Sequence, residues 1–150
     1  METDRRPEES MRALGIDVGS VRLGLALSDP LGMAAQPLEV IRRTSPQRDL
    51  EAIRAIALQH EVEVLVIGLP YNMNGSEGPA AQAARDFARL LEPLGLPVEF
   101  IDERASTMIA EAVLLEGDVR RDKRKHLRDK LAASIILQTW LDQRARGARA

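Results

Sequence analysis

Apolar and polar positions change period several times along this chain, and the changes mark its elements. Ala13-Leu14-Gly15-Ile16-Asp17-Val18 is a short apolar run, read as a strand from about Arg12 to Val18. From Val21 to Leu27 the apolar residues alternate (Val21, Leu23, Leu25, Leu27), the pattern of a strand with one buried face. Ser28-Asp29-Pro30-Leu31-Gly32 reads as a turn, and Met33 to Ile41 as a third strand. Pro37 has no N–H to give a neighbour, so that strand is expected at a sheet edge. Three strands in succession predict an antiparallel meander.

The period then lengthens. Ser45-Pro46 is a helix start, and Leu50, Ile53, Ile56 and Ala57 supply a stripe up to about His60. Val62 to Ile67 is almost continuously apolar, as in a strand covered on both faces. A glycine-rich loop from Gly68 to Gly78 leads to a helix opened by Pro79 and ending near Leu91, with Pro93 and Gly95 beyond it. Val98 to Ile101 reads as a fifth strand and Ala105 to Leu115 as a helix. Gly117 to His126 reads as a basic loop, and Leu127 to about Arg144 as the last helix. The order, βββαβαβα with a C-terminal helix, predicts an α/β fold: one mixed five-stranded sheet with helices on both faces. Residues 11–145 are expected to form the single domain, between tails at 1–10 and 146–150.

Composition narrows the function classes. With 45% hydrophobic residues, 150 residues suffice for one core but not for two large lobes. There is no cysteine, which excludes disulfides, thiolate metal sites and a thiol nucleophile, and suits a reducing cytoplasm. No apolar run approaches the roughly 20 residues that span a bilayer, so no membrane association is expected. The formal charge of -2 gives no overall attraction to nucleic acid. Arg120 to Lys130, however, carries seven Lys or Arg against two Asp, enough for a phosphate footprint; a solvated charge run is the plainer reading. Few aromatics are present, which argues against a base-stacking platform.

Three acidic places stand out. Asp17 interrupts a buried strand between Gly15 and Gly19, and an unpaired carboxylate there would be costly unless an ion or partner compensates it. Asp102-Glu103-Arg104 follows the fifth strand, at the end where ligands of such sheets bind. Asp129 shares a helix face with Ala133, Ile136 and Trp140, and the small Ala132 and Ala133 would let that helix approach the sheet. Each has a plain alternative: a strand-end cap, loop charges, and an acid favoured in a helix's first turn. Converging, the three would suit hard divalent cations, Mg2+ or Mn2+, and phosphodiester cleavage. Lys125 and Arg104 would neutralise phosphate oxygens. The loop 68–78 lacks the P-loop lysine, and its backbone N–H groups could meet phosphate or simply form a turn.

The stretches Leu14-Gly15-Ile16-Asp17-Val18-Gly19, Arg22-Leu23-Gly24, Ile67-Gly68-Leu69-Pro70 with Asn72-Met73 and Gly75-Ser76-Glu77-Gly78-Pro79, Asp102-Glu103-Arg104, and Asp129 with Ala132-Ala133 occur in order over about residues 12–141. Together they resemble the YqgF, or RuvX-like, family. The resemblance implies an RNase H-like fold related to RuvC-type Holliday junction resolvases, and a bacterial cytoplasmic nuclease. Its substrate would be the 5' end of pre-16S rRNA or a four-way DNA junction. The family's acidic positions fall on Asp17, Glu103 and Asp129, as catalytic residues and metal ligands. Substrate contacts are expected from Lys125, Arg104, Asn72 and Arg22. Gly68 departs from the wider fold, whose fourth strand usually ends in a carboxylate; Glu103 is the expected substitute. Asn74 stands where Asp is common, and Tyr71 where Leu is frequent. A homodimer would suit symmetric junction cutting but not RNA end-trimming. The competing reading is a non-catalytic nucleic-acid-binding or ribosome-associated factor. An actin-like phosphotransferase would need a second lobe.

Overall fold

A computed structural model of the chain describes residues 11–103 and 121–149; the side chains it describes in the second stretch are those of residues 131–147. The strands β1 (Ala13–Val18), β2 (Arg22–Ser28), β3 (Ala35–Arg42), β4 (Val64–Leu69) and β5 (Val98–Asp102) form one sheet in the order β3-β2-β1-β4-β5. β1, β2 and β3 pair antiparallel, whereas β4 and β5 run parallel to β1. Helix α1 (Pro46–Gln59) joins β3 to β4, and α2 (Pro79–Leu90) with a 3₁₀ turn (Glu92–Leu94) joins β4 to β5. Helix α3 is Arg121–Arg149.

Alternation along the strands sorts side chains to two faces. Leu14, Ile16, Leu23, Leu25, Leu65, Ile67 and Leu69 form one apolar cluster with Ile53 of α1 and Phe87 of α2. Ala13, Ala26, Val64, Val66 and Ile101 face the other way and pack on Ala133, Ile136, Leu137, Trp140 and Leu141 of α3. The residues toward α3 are smaller, and the helix comes correspondingly close. A Cβ built on Gly15 would lie 2.8 Å from Leu137 Cβ and 3.0 Å from the Ala133 carbonyl oxygen. Ala133 therefore plays the part its size suggested. Further along, Trp140 donates its indole N–H to Glu99 (2.7 Å), and the Gln138 amide accepts from the Ala35 N–H (2.8 Å) while donating to the Met33 carbonyl (3.1 Å). These bonds tie α3 to both edges of the sheet.

The meander, the edge position of Pro37 and the helices on both faces are as predicted. Pro37 pairs with Ala26 just past an irregularity in the β2–β3 register. Ser45 caps α1 by accepting from the Arg48 N–H (3.2 Å), with Pro46 in the first turn.

Several boundaries differ from expectation. β4 starts at Val64 and runs to Leu69, because its register with β1 begins at Ala13–Val64; Val62 is buried without belonging to the strand. An apolar run reports burial, not strand pairing. The basic stretch expected as a loop through His126 is helical from Arg121 onward, so Lys125 belongs to α3. Arg121 to Lys130 lacks Gly and Pro and consists mostly of good helix formers, but its apolar stripe begins only at Leu127, which left the first turns without a periodic signal. At the other end α3 continues past Arg144 to Arg149. The helix expected over 105–115 lies outside the described residues.

Candidate active site

Asp17 lies near the carboxyl end of β1 on the face toward α3, opposite Gly24 of β2. The parallel register Ile16–Ile67 puts Gly68 of β4 level with it on the other side. Asp17 thus stands in a row of small residues, and both flanks are free of side chains from the neighbouring strands.

On the β4 flank that space is taken. A Cβ on Gly68 would fall 2.5 Å from Ile136 Cδ1 and 3.3 Å from the carboxyl carbon of Glu103. Glu103 follows β5, whose residues Glu99 and Ile101 also meet α3, and the same alternation leaves Asp102 exposed. Glu103 is half-buried, and its carboxyl group is hydrogen-bonded to Asp17. Burial first, then that hydrogen bond and the negative charge of Asp17, push the Glu103 pKa up to about 9. Near neutral pH Glu103 therefore carries the proton and donates to Asp17. Glu103 thus reaches from the end of the next strand over Gly68, whose lack of a side chain makes room for it.

On the β2 flank the space is open. A cavity of about 220 Å³ lies beside Asp17, bounded by Gly24, Val40 and the turn Gly19–Arg22. The turn is held from behind. Arg43 donates from its guanidinium to the Gly19 carbonyl (3.0 Å) and from its backbone N–H to the Val21 carbonyl (2.8 Å). Its Nε is paired with the buried Asp49 (3.1 Å), which also accepts from the Thr44 N–H, and its guanidinium lies 5.1 Å from the centre of the Phe87 ring. The Gly19 N–H closes the turn on the Arg22 carbonyl (2.9 Å).

The remaining expected residues divide. Arg22 is exposed at the rim of the cavity. Asn72 sits in the loop after β4, where its side-chain amide donates to Ser76 Oγ (3.0 Å) and its carbonyl accepts from the Gly75 N–H (2.8 Å). Asn74 accepts from both the N–H (3.0 Å) and the hydroxyl (2.6 Å) of Ser76, so the amides in this segment hold the loop's own shape. A bidentate pair of Arg85 with Glu77 (2.7 Å each) fastens its far end to α2. Asp129 lies on α3 one turn before Ala133, on the length of helix that continues from Gly15 toward Asp17; its side chain and that of Lys125 lie outside the described side chains. Arg104 lies outside the described residues. Spacing had not revealed Arg43 and Asp49, which act from the opposite face of the sheet; a buried Asp in the first turn of α1 was the available signal.

Two carboxyl groups in contact, one forced to hold a proton, form an oxygen-only donor set suited to a hard divalent cation. Among the described residues no group of three potential ligands is complete, and the third acid expected is Asp129.

A family model described as RuvX, Holliday junction resolvase, matches residues 11–143. A protein of Myxococcus xanthus is 50% identical over 133 residues, covering 88% of each chain, and one of Symbiobacterium thermophilum is 54% identical over 136, covering 90% of this chain and 94% of its own. Both bear the provisional name pre-16S rRNA nuclease. Among solved structures, Thermus thermophilus RuvC in complex with a Holliday junction substrate superposes with a TM-score of 0.56 at 18% identity, covering 84% of this chain and 91% of its own. The large terminase nuclease of phage G20c gives 0.54 at 15%, covering 90% and 83%. These likenesses identify the fold as RNase H-like. The family match over nearly the whole described chain, with relatives at half identity, shows that this protein belongs to the RuvX family.

Proposed function

We propose that this protein is a divalent-metal-dependent nuclease that cleaves phosphodiester bonds in structured nucleic acid, with the 5' end of pre-16S rRNA as its substrate. The contact between the Asp17 and Glu103 carboxyl groups carries the reading. Two acids do not share a proton in a half-buried site without cost, and a cation that replaces the proton relieves it. The rRNA substrate follows the name borne by relatives at 50–54% identity.

Asp17 and Glu103 would hold Mg2+ or Mn2+, with Asp129 as the third ligand. Bound there, the cation supplies Lewis acidity toward the phosphate and the attacking water. Asp17 and Glu103 would orient that water. Glu103 gives up its proton as the site fills. Lys125 and Arg104 neutralise the non-bridging phosphate oxygens, and Arg22 and Asn72 hold the strand on either side. A cytoplasmic setting accompanies this substrate, and no helix among the described residues is long and apolar enough to cross a membrane.

The test is a side-by-side cleavage assay of a 5'-extended pre-16S RNA and a four-way DNA junction in magnesium and in manganese. The Asp17→Asn variant is expected to lose cleavage while still binding the RNA. Equal cleavage by wild type and variant would overturn the nuclease assignment, and cleavage of the junction alone would overturn the substrate.

A further inference from the structure

The cavity beside Asp17 has a composition that neither metal binding nor phosphate neutralisation accounts for. Its inner wall is the Asp17 carboxyl group and the backbone of Gly24. Its outer walls are apolar: Val40 on the edge strand is 38% exposed and Val21 on the turn is 47% exposed. Ser20 and Arg22, both exposed, complete the lining among the described residues. Two valines left open to water in the lining of one small cavity that also holds a carboxylate, a serine and an arginine form a surface that a partly apolar, partly hydrogen-bonding group would cover.

The cavity is also preformed. Arg43 holds the carbonyls of both Gly19 and Val21, and Asp49 holds Arg43, so the turn that makes one wall is braced from the other face of the sheet. A braced wall lowers the ordering cost of binding. At about 220 Å³ the cavity is below the roughly 300–1,000 Å³ of pockets that enclose whole small molecules. It suits one unit of a polymer whose remainder lies outside.

We propose that this cavity is a nucleoside subsite, receiving the sugar and base of one nucleotide next to the bond that is cut; the inference rests on the nuclease reading above and assigns that substrate a place. The valines of the lining suit the sugar and base, and Arg22, which also lines the cavity, suits the nucleotide's phosphate. Val21 and Val40 cover the apolar faces of the sugar and base. The Ser20 hydroxyl hydrogen-bonds a sugar hydroxyl or a base edge. Gly24 is required because any side chain there would stand beside Asp17 on the same face and fill the space.

The test needs no cleavage, so it fails or succeeds separately from the nuclease assay. The full chain, labelled in its valine methyls, is titrated with adenosine 5'-monophosphate, ribose 5-phosphate and inorganic phosphate and followed by NMR. Saturable shifts at Val21 and Val40 are expected with the nucleotide at millimolar concentration, at least several-fold weaker binding with ribose 5-phosphate, and no saturable shift at these methyls with phosphate. Val40→Phe fills the cavity from the edge strand, where an aromatic suits the backbone, and should abolish the nucleotide response. Val21→Phe, on the exposed turn, does the same without touching the sheet, and circular dichroism checks that each variant is folded. Absence of saturable shifts with the nucleotide, an equal response to inorganic phosphate, or an unchanged response in either folded variant would overturn the proposal.

Discussion

The two flanks of Asp17 start alike and end differently. Each neighbouring strand presents a glycine level with the carboxyl group, Gly68 on β4 and Gly24 on β2. Over Gly68 the space is closed by Ile136 from α3 and by Glu103 from the end of β5. Beside Gly24 the described residues leave a cavity, with Val40 of the edge strand in its lining. The same residue type thus serves a packed carboxyl pair on one side and an open recess on the other. What differs, among the described residues, is the kind of element that converges: a helix and a strand end on the β4 flank, and an edge strand with a turn on the β2 flank. A glycine in a strand states that something comes close, without saying what.

The comparison can be broken most forcefully on the open side, at its support. Arg43→Met leaves the buried Asp49 without its charge partner and frees the Gly19 carbonyl. Removing one member of such a pair costs about 3 kcal/mol. Urea denaturation is expected to show a loss of that order, and Arg43→Lys, which keeps the charge, a smaller one. A stability equal to wild type in Arg43→Met would mean that the turn is not held from behind.

On the closed side, Gly68→Ala places a methyl 2.5 Å from Ile136 Cδ1 and against the Glu103 carboxyl. Overpacking of this kind costs about 1 to 3 kcal/mol, and Glu103 should be displaced from Asp17. Cleavage is expected to fall by more than the change in melting temperature explains. A fully active, fully stable Gly68→Ala protein would show that Glu103 does not need that space.

The third expected effect is a slope. In the metal-free fold Glu103 holds its proton up to about pH 9, whereas in the unfolded chain it releases it near the ordinary carboxylate value of 4.5. Between these values the folded state holds more protons, so its stability falls as pH rises, by at most about 1.4 kcal/mol per pH unit for this one group. Magnesium or manganese, which binds the ionised form, should stabilise the protein more at pH 8 than at pH 6. Glu103→Gln is expected to flatten the metal-free profile between pH 5 and 9. An identical profile in the variant would separate Glu103 from the Asp17 charge.

Much of this arrangement was legible along the chain. The proline in β3 and the Ser45-Pro46 cap are local signals found as read, and alternation in Val21–Leu27 located β2 but not its burial: the strand is covered on both faces, because Ala26 packs toward α3 while Leu23 and Leu25 pack the other way. Asp17 was conspicuous because a carboxylate in an apolar run needs compensation, and Glu103 because it follows a strand; their meeting was expected from strand ends that face one crevice, and again from the family resemblance. The start of α3 at Arg121 was not legible, since charged turns carry no apolar period. Nor was the role of the Asn72 and Asn74 amides within their own loop, which depends on the loop's closed shape.

By itself, then, the order of residues determined the elements, the family and which acids could do chemistry, because strand and helix periods and short motifs are properties of neighbours in the chain. Tertiary structure alone decided that Glu103 fills the place above Gly68, that Gly24 leaves an empty one, and that Arg43 and Asp49 brace the turn through the sheet. Those outcomes depend on strand register and on how closely α3 settles on Gly15. The register joins segments about fifty residues apart in the chain, and the seating of α3 joins segments more than a hundred apart.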